Sequence, residues 1–334
     1  MKIVFFTFSF LGFSYILPVH EYNNATMRQK NSLFIKAWEI TVDDKNHKLF
    51  WYGFIPALLT TMLSTLTYSF QGYRYWTEFV AQGDVRKTVL DLFASFFAFF
   101  GKNPGMGMFL LFCGVLFFLA YYFLPIIFHG GLVKIIPMVL QEEKVKFRMG
   151  LVYGGRYFFK LFEYKTLFSP FRITWVFLSY SIFKIFAPDL LPPLAIPLII
   201  WLIVNIAINL LFLFVEYFIV LKDMGVLESI RASIKMVFMH IEDVLLMIGL
   251  ILLMEARMLI SVLLIICIPL LLFFSLNFFS NTLLLQAGPF LTVSLGVLLL
   301  FFISYLNSYI TIFITSAWTL TFLSFSKDIE LEQE

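Results

Sequence analysis

The residues able to carry chemistry are few, and they sit in unusual places. Asn205, Asn209 and Glu216 lie in one apolar run, Glu255 and Arg257 in another. An ionisable group at the centre of a bilayer costs at least about 2.5 kcal/mol, so such residues are functional candidates by default. At about 100° per residue, Asn205, Asn209 and Glu216 fall within about 40° of one another and would line one helix face. Glu255 and Arg257 point about 160° apart, so each needs a partner on another helix. Together they make a candidate intramembrane polar site, serving either a solute or proton path or the bonds that fix a helix bundle. Catalytic candidates are poorer. His20, His47, His129 and His240 are far apart in the chain. There is no His-Glu-x-x-His, no Cys-x-x-Cys, no phosphate loop ending in Gly-Lys-Ser/Thr and no Gly-x-Ser-x-Gly. His129-Gly130-Gly131 reads as a flexible join after an apolar run. No nucleophile–base pair and no cofactor or metal motif stands out, so the expectation is a protein that is not an enzyme and needs no cofactor.

The elements that must hold these residues follow from composition. Of 334 residues, 61% are hydrophobic and 13% charged, against about 45–50% and about 25% in soluble domains. Too little polar surface remains to cover a water-soluble fold, so lipid must be the solvent for much of the chain. Six apolar segments are candidate spans: Leu49–Phe70, Met106–Phe128, Leu167–Pro188, Leu194–Leu221, Val244–Ile268 and Pro289–Phe325. Runs of about 18 or more apolar residues cross the ~30 Å hydrocarbon core as helices. The alternating segments of a barrel are absent. The expected fold is all-α, a polytopic bundle of six transmembrane helices. Cys113 and Cys267 both lie in apolar runs and make no disulfide framework.

Lys and Arg set the orientation. Residues 129–166 hold seven of them and residues 20–48 five, whereas the alternate connections hold only Arg74, Arg86, Lys87 and Lys102. By the positive-inside rule both termini face the cytosol, in the inner (cytoplasmic) membrane. The chain then divides into an apolar and basic N-terminal segment (1–48), a membrane domain (49–325) and a cytosolic tail (326–334). The first 20 residues resemble a signal peptide, but removing them would export a basic segment, so they are expected to insert without crossing. Residues 85–100 gather Val85, Val89, Phe93, Phe96 and Phe100 on one helical face and suit a helix lying in the outer interface.

Two connections repeat a pattern. "GLVYGGRYFFK" (150–160) and "GVLESIRASIK" (225–235) share Gly, then Arg six positions on, then Lys four further. Each lies between apolar spans, which suggests a duplicated span–elbow–span unit over about 106–188 and 194–268. In the second copy Val226, Leu227, Ile230, Ile234, Val237, Phe238 and Ile241 fall on one side. Glu228, Arg231, Lys235 and Glu242 fall on the other, as in an interfacial helix with its apolar stripe down. Arg156 and Lys160, like Arg231 and Lys235, are spaced to face the same way and reach lipid headgroups or a partner protein.

With "FIKAWEI" (34–40) before the first span, the elbow at 150–160 and "GVLESIRASIKMVF" (225–238), the chain resembles a broad group of bacterial six-span membrane proteins. That group includes the membrane domain fused to glycerophosphodiester phosphodiesterases and the YciC-like proteins. The resemblance implies an integral membrane module and no hydrolase activity, since the phosphodiesterase catalytic domain has no room here. The expected function is a non-catalytic scaffold, or a binder of membrane lipids or of other membrane subunits, with no nucleic-acid partner. The alternative is a permease for a small solute or lipid. Pro125, Pro137, Pro188, Pro192, Pro193, Pro197, Pro269 and Pro289 read as lying near span ends, which favours the scaffold, since transporters tend to break helices at mid-depth. Ser304, Ser308, Thr311 and Thr315 form a small-residue face suited to close packing.

Overall fold

Backbone inside lipid has no water to bond to, so apolar runs close their hydrogen bonds internally as helices. In the computed structural model every described element is helical, and no strand occurs among the described residues. The structure describes residues 24–43, 47–75, 85–143, 145–171, 173–249 and 282–331, with isolated positions between 250 and 281. The helices are α1 (Asn24–Val42), α2 (His47–Tyr75), α3 (Val85–Lys102), α4 (Pro104–Leu140) and α5 (Phe147–Leu167). They continue as α6 (Ile173–Phe186), α7 (Leu191–Leu211), α8 (Val215–Leu221), α9 (Val226–Met239) and α10 (Thr282–Leu331). Single 3₁₀ turns at Ser169–Phe171 and Pro188–Leu190 flank α6.

Four stretches among the described residues are long and apolar enough to cross a membrane: Lys48–Thr67, Pro104–Leu140, Pro188–Leu221 and Val293–Lys327. The expected third span is different. Its helix, α6, has 14 residues and reaches only about 21 Å at about 1.5 Å per residue, short of the ~30 Å core. It folds back on α7 as a hairpin, and Asn209 Nδ2 donates to the Phe171 carbonyl at 2.7 Å. The expected fifth span lies outside the described residues beyond 249, apart from isolated positions.

Helix α4 corrects the reading of His129–Gly131 as a joint. Pro104 starts the helix, where its missing N–H is not needed. The helix then runs unbroken for 37 residues through Pro125, which lies well inside it and not at a span end, whereas Pro137 falls in its last turn. It stops at a Schellman turn. Glu143 N–H bonds Met138 C=O and Glu142 N–H bonds Val139 C=O, both at 3.1 Å, with Glu142 at φ 56°. The two glycines are contact points for α5. A Cβ on Gly131 would strike the Gly150 carbonyl, and one on Gly154 would strike the Ile127 carbonyl. Small residues let the two backbones touch, the usual device for helix pairs in lipid. Tyr52 of α2 closes the same junction by donating to the Phe147 carbonyl.

The small-residue face of the last span does pack closely. Ser304, Ser308 and Thr315 are buried, and Ser308 Oγ donates to the Phe50 carbonyl of α2 at 3.0 Å. A Cβ on Gly53 would meet the Ser308 carbonyl at 2.7 Å. Asn307 adds a side-chain bond to Thr61 at 3.2 Å. Buried residues gather at one end of the molecule: α1, the first half of α2, the second half of α4, α5, α8, α9 and the second half of α10. The other halves present bare apolar side chains, such as Phe109 and Phe112 on α4, Ile196 and Ile203 on α7, and Val293 and Leu298 on α10. Such a surface suits lipid and would be a liability in water.

Candidate functional site

The two elbows meet, and their charges do different work. In α5, Lys160 Nζ donates to the Asp223 carboxylate at 2.7 Å and to its backbone carbonyl at 3.0 Å. Arg156 stands 3.7 Å from the other carboxylate oxygen. Asp223 occupies the turn between α8 and α9 at φ 55°. The first elbow's Arg–Lys pair therefore holds the start of the second elbow. Lys160's hydrogen bond, reinforced by the Lys160 and Arg156 charges, keeps the Asp223 carboxyl below its ordinary 3.8. Lys134 Nζ and Arg156 Cζ lie 5.9 and 5.8 Å from the centre of the Tyr157 ring. Burial pushes the Tyr157 hydroxyl up, and the Asp223 charge adds to this.

The second copy corrects the expected apolar stripe. The buried face of α9 is Val226, Ser229, Ser233, Met236 and Val237. Leu227 is 73% exposed and Phe238 66%, on the same outward side as the exposed Arg231 and Lys235. Ser233 explains the rotation. The chain breaks between α7 and α8 at residues 212–214. Ser233 Oγ bridges the break, accepting from Phe214 N–H at 3.1 Å and donating to Leu211 C=O at 2.8 Å. A serine face must therefore turn inward, leaving the mixed basic and apolar face outside. Gly150 and Gly225 also differ. The first is buried within α5, whereas the second caps α9 and is exposed.

The same break divides the expected polar stripe. Asn205 and Asn209 stay on α7. Asn205 Nδ2 donates to Trp201 C=O, and Asn209 Nδ2 to Asn205 C=O and Phe171 C=O, all at 2.7 Å. Asn205 is fully buried, and its Oδ1 has no partner among the described residues. Glu216, on α8, turns elsewhere. Its carboxylate takes His129 Nε2 of α4 at 2.7 Å and Lys165 Nζ of α5 at 3.4 Å. Sequence reasoning missed His129 and Lys165 as its partners. The usable signal was His129 at the end of one apolar run and Glu216 within another, but nothing linear joins them. Glu255 and Arg257 lie outside the described residues.

Among the described residues no group of three or more His, Cys, Asp or Glu side chains is placed to hold a metal. Cys113 and Cys267 are both free. Sequence and structure together define the class as a helical protein with, among the described residues, four stretches of membrane-crossing length and apolarity and no strand. No protein-family model matches the chain, and comparison with curated proteins and with solved structures gives no match.

Proposed function

We propose that this chain is a multi-pass inner-membrane protein with cytosolic termini, a non-catalytic module that binds membrane lipid at its elbow end. One observation carries the reading. Helix α9 turns Arg231 and Lys235 outward beside Leu227 and Phe238, while its serine face is buried. Apolar side chains seated among acyl chains with cations at the phosphates are the pattern of an interfacial helix. Each such cation near an anionic leaflet contributes about 1 kcal/mol. The test is native mass spectrometry of the full chain from nanodiscs of mixed phosphatidylcholine and phosphatidylglycerol. Retained phosphatidylglycerol should fall several-fold in R231Q/K235Q. Equal retention by the variant and the unmodified chain would refute the reading.

A permease is the second reading, supported by the broken helix at 212–214 and the His129–Glu216–Lys165 cluster beside it. Proton flux into proteoliposomes that disappears in E216Q would favour it. No E216Q-sensitive flux under any imposed gradient would set it aside.

A further inference from the structure

We propose that Lys134, Arg156 and Lys160 form a site for a phosphomonoester group, with Asp223 as the counter-ion that the phosphate displaces. The proposal rests on the lipid-binding reading above and names the headgroup chemistry.

The cluster has an excess of positive charge. Lys134 of α4 and Arg156 of α5 lie over the buried Tyr157 ring, Arg156 and Lys160 pair with the Asp223 carboxylate, and the Lys134 charge is felt at that carboxylate as well. A net +2 matches a phosphomonoester, which carries about −1.5 to −2 near neutral pH. A phosphodiester headgroup, with one charge, leaves it half neutralised. The geometry also leaves room for exchange. Arg156 approaches Asp223 only to 3.7 Å, an ion-pair distance longer than a hydrogen bond. Its planar fork is suited to two phosphate oxygens. The Arg156, Lys160 and Asp223 side chains are 66%, 40% and 51% exposed, and ion pairs so open to solvent are weak and exchangeable. Asp223 sits at a positive φ, which is uncommon outside glycine, and Lys160 grips both its side chain and its backbone. Replacing that grip with a phosphate would free the turn leading into α9. Binding at this site would therefore be felt at the Arg231–Lys235 face.

The chemistry has two sources, a lipid such as phosphatidic acid or a soluble phosphomonoester. The test puts the full chain in phosphatidylcholine nanodiscs doped with equal phosphatidic acid and phosphatidylglycerol, and counts bound lipids by native mass spectrometry. Phosphatidic acid should be retained several-fold over phosphatidylglycerol. In R156Q/K160Q that several-fold preference should disappear. D223N keeps the side-chain shape, removes the competing charge, and should raise the preference. Competition by glycerol 3-phosphate or inorganic phosphate assigns the site to a soluble ligand. Its absence assigns the site to the lipid. Equal retention of the two lipids, or R156Q/K160Q and D223N both matching the unmodified chain, overturns the proposal. The two readings fail separately. Loss confined to R231Q/K235Q leaves the α9 reading standing and sinks this one, and loss confined to R156Q/K160Q does the reverse.

Discussion

Ser233 and Ser229 are both fully buried on the same helix, yet they are not equivalent. Ser229 Oγ donates at 2.8 Å to the Gly225 carbonyl of its own helix, which already accepts Ser229 N–H. Removing it leaves no backbone group without a partner. Ser233 satisfies an N–H and a C=O at a helix break, where no helical partner exists. Leaving buried groups unpaired costs about 1–3 kcal/mol, while polar contacts between membrane helices average less. Ser233→Ala should therefore destabilise the chain by about 1–2 kcal/mol, and Ser229→Ala by much less. Unfolding in a denaturant series in mixed micelles reads both. Equal losses would mean that the serine–backbone bridge is not what holds the break. The bridge was not legible in the sequence. Serines at 229 and 233 read as interruptions of an apolar stripe, because the break that needs them is about 20 residues away and carries no proline or glycine.

At the scale of elements, the charge ties between α5 and the 216–223 segment decide how the elbows sit together. Two acids of one short segment take cations from one helix: Glu216 from Lys165, and Asp223 from Lys160 with Arg156. His129 of α4 completes the first rung. Glu216 and Lys165 are only about a fifth exposed, at 20% and 23%, so losing one leaves the other charge poorly solvated. A double-mutant cycle on E216Q and K165Q should give a coupling energy of about 0.5–3 kcal/mol. The same cycle on Asp223 and Lys160 should be smaller, since that pair is open to water. Coupling near zero for the Glu216 pair would mean the elements are held by packing alone. What sequence could foresee at this scale was whatever repeats at helical period. Ser304, Ser308 and Thr315 were readable as a packing face, and the apolar runs as helices. His129–Gly131 was not, because glycine in a run signals a joint in water and a close contact in lipid. The Asn205–Asn209–Glu216 stripe failed because 100° arithmetic assumes an unbroken helix.

At the scale of the whole molecule, buried residues and bare apolar residues occupy opposite halves of the long helices, and the basic elbows belong to the buried half. Lys160 and Asp223 are 2.7 Å apart, whereas a bilayer's hydrocarbon core is ~30 Å thick. The two elbows must therefore face the same side of any membrane the protein crosses. Cys113 supplies the contrast. It is exposed on α4 among Phe109, Phe112 and Leu116, which are exposed as well. In water such a thiol would react readily, but in lipid a charged, impermeant maleimide cannot approach it. In sealed vesicles, on a Cys267→Ser background, Cys113 should stay unlabelled until detergent is added. Arg156→Cys and Arg231→Cys should label together, from one side only. Opposite sidedness of positions 156 and 231 would be incompatible with the Lys160–Asp223 contact. Rapid labelling of Cys113 in intact vesicles would show that the bare half of α4 faces water, and a soluble assembly would have to cover its phenylalanines instead.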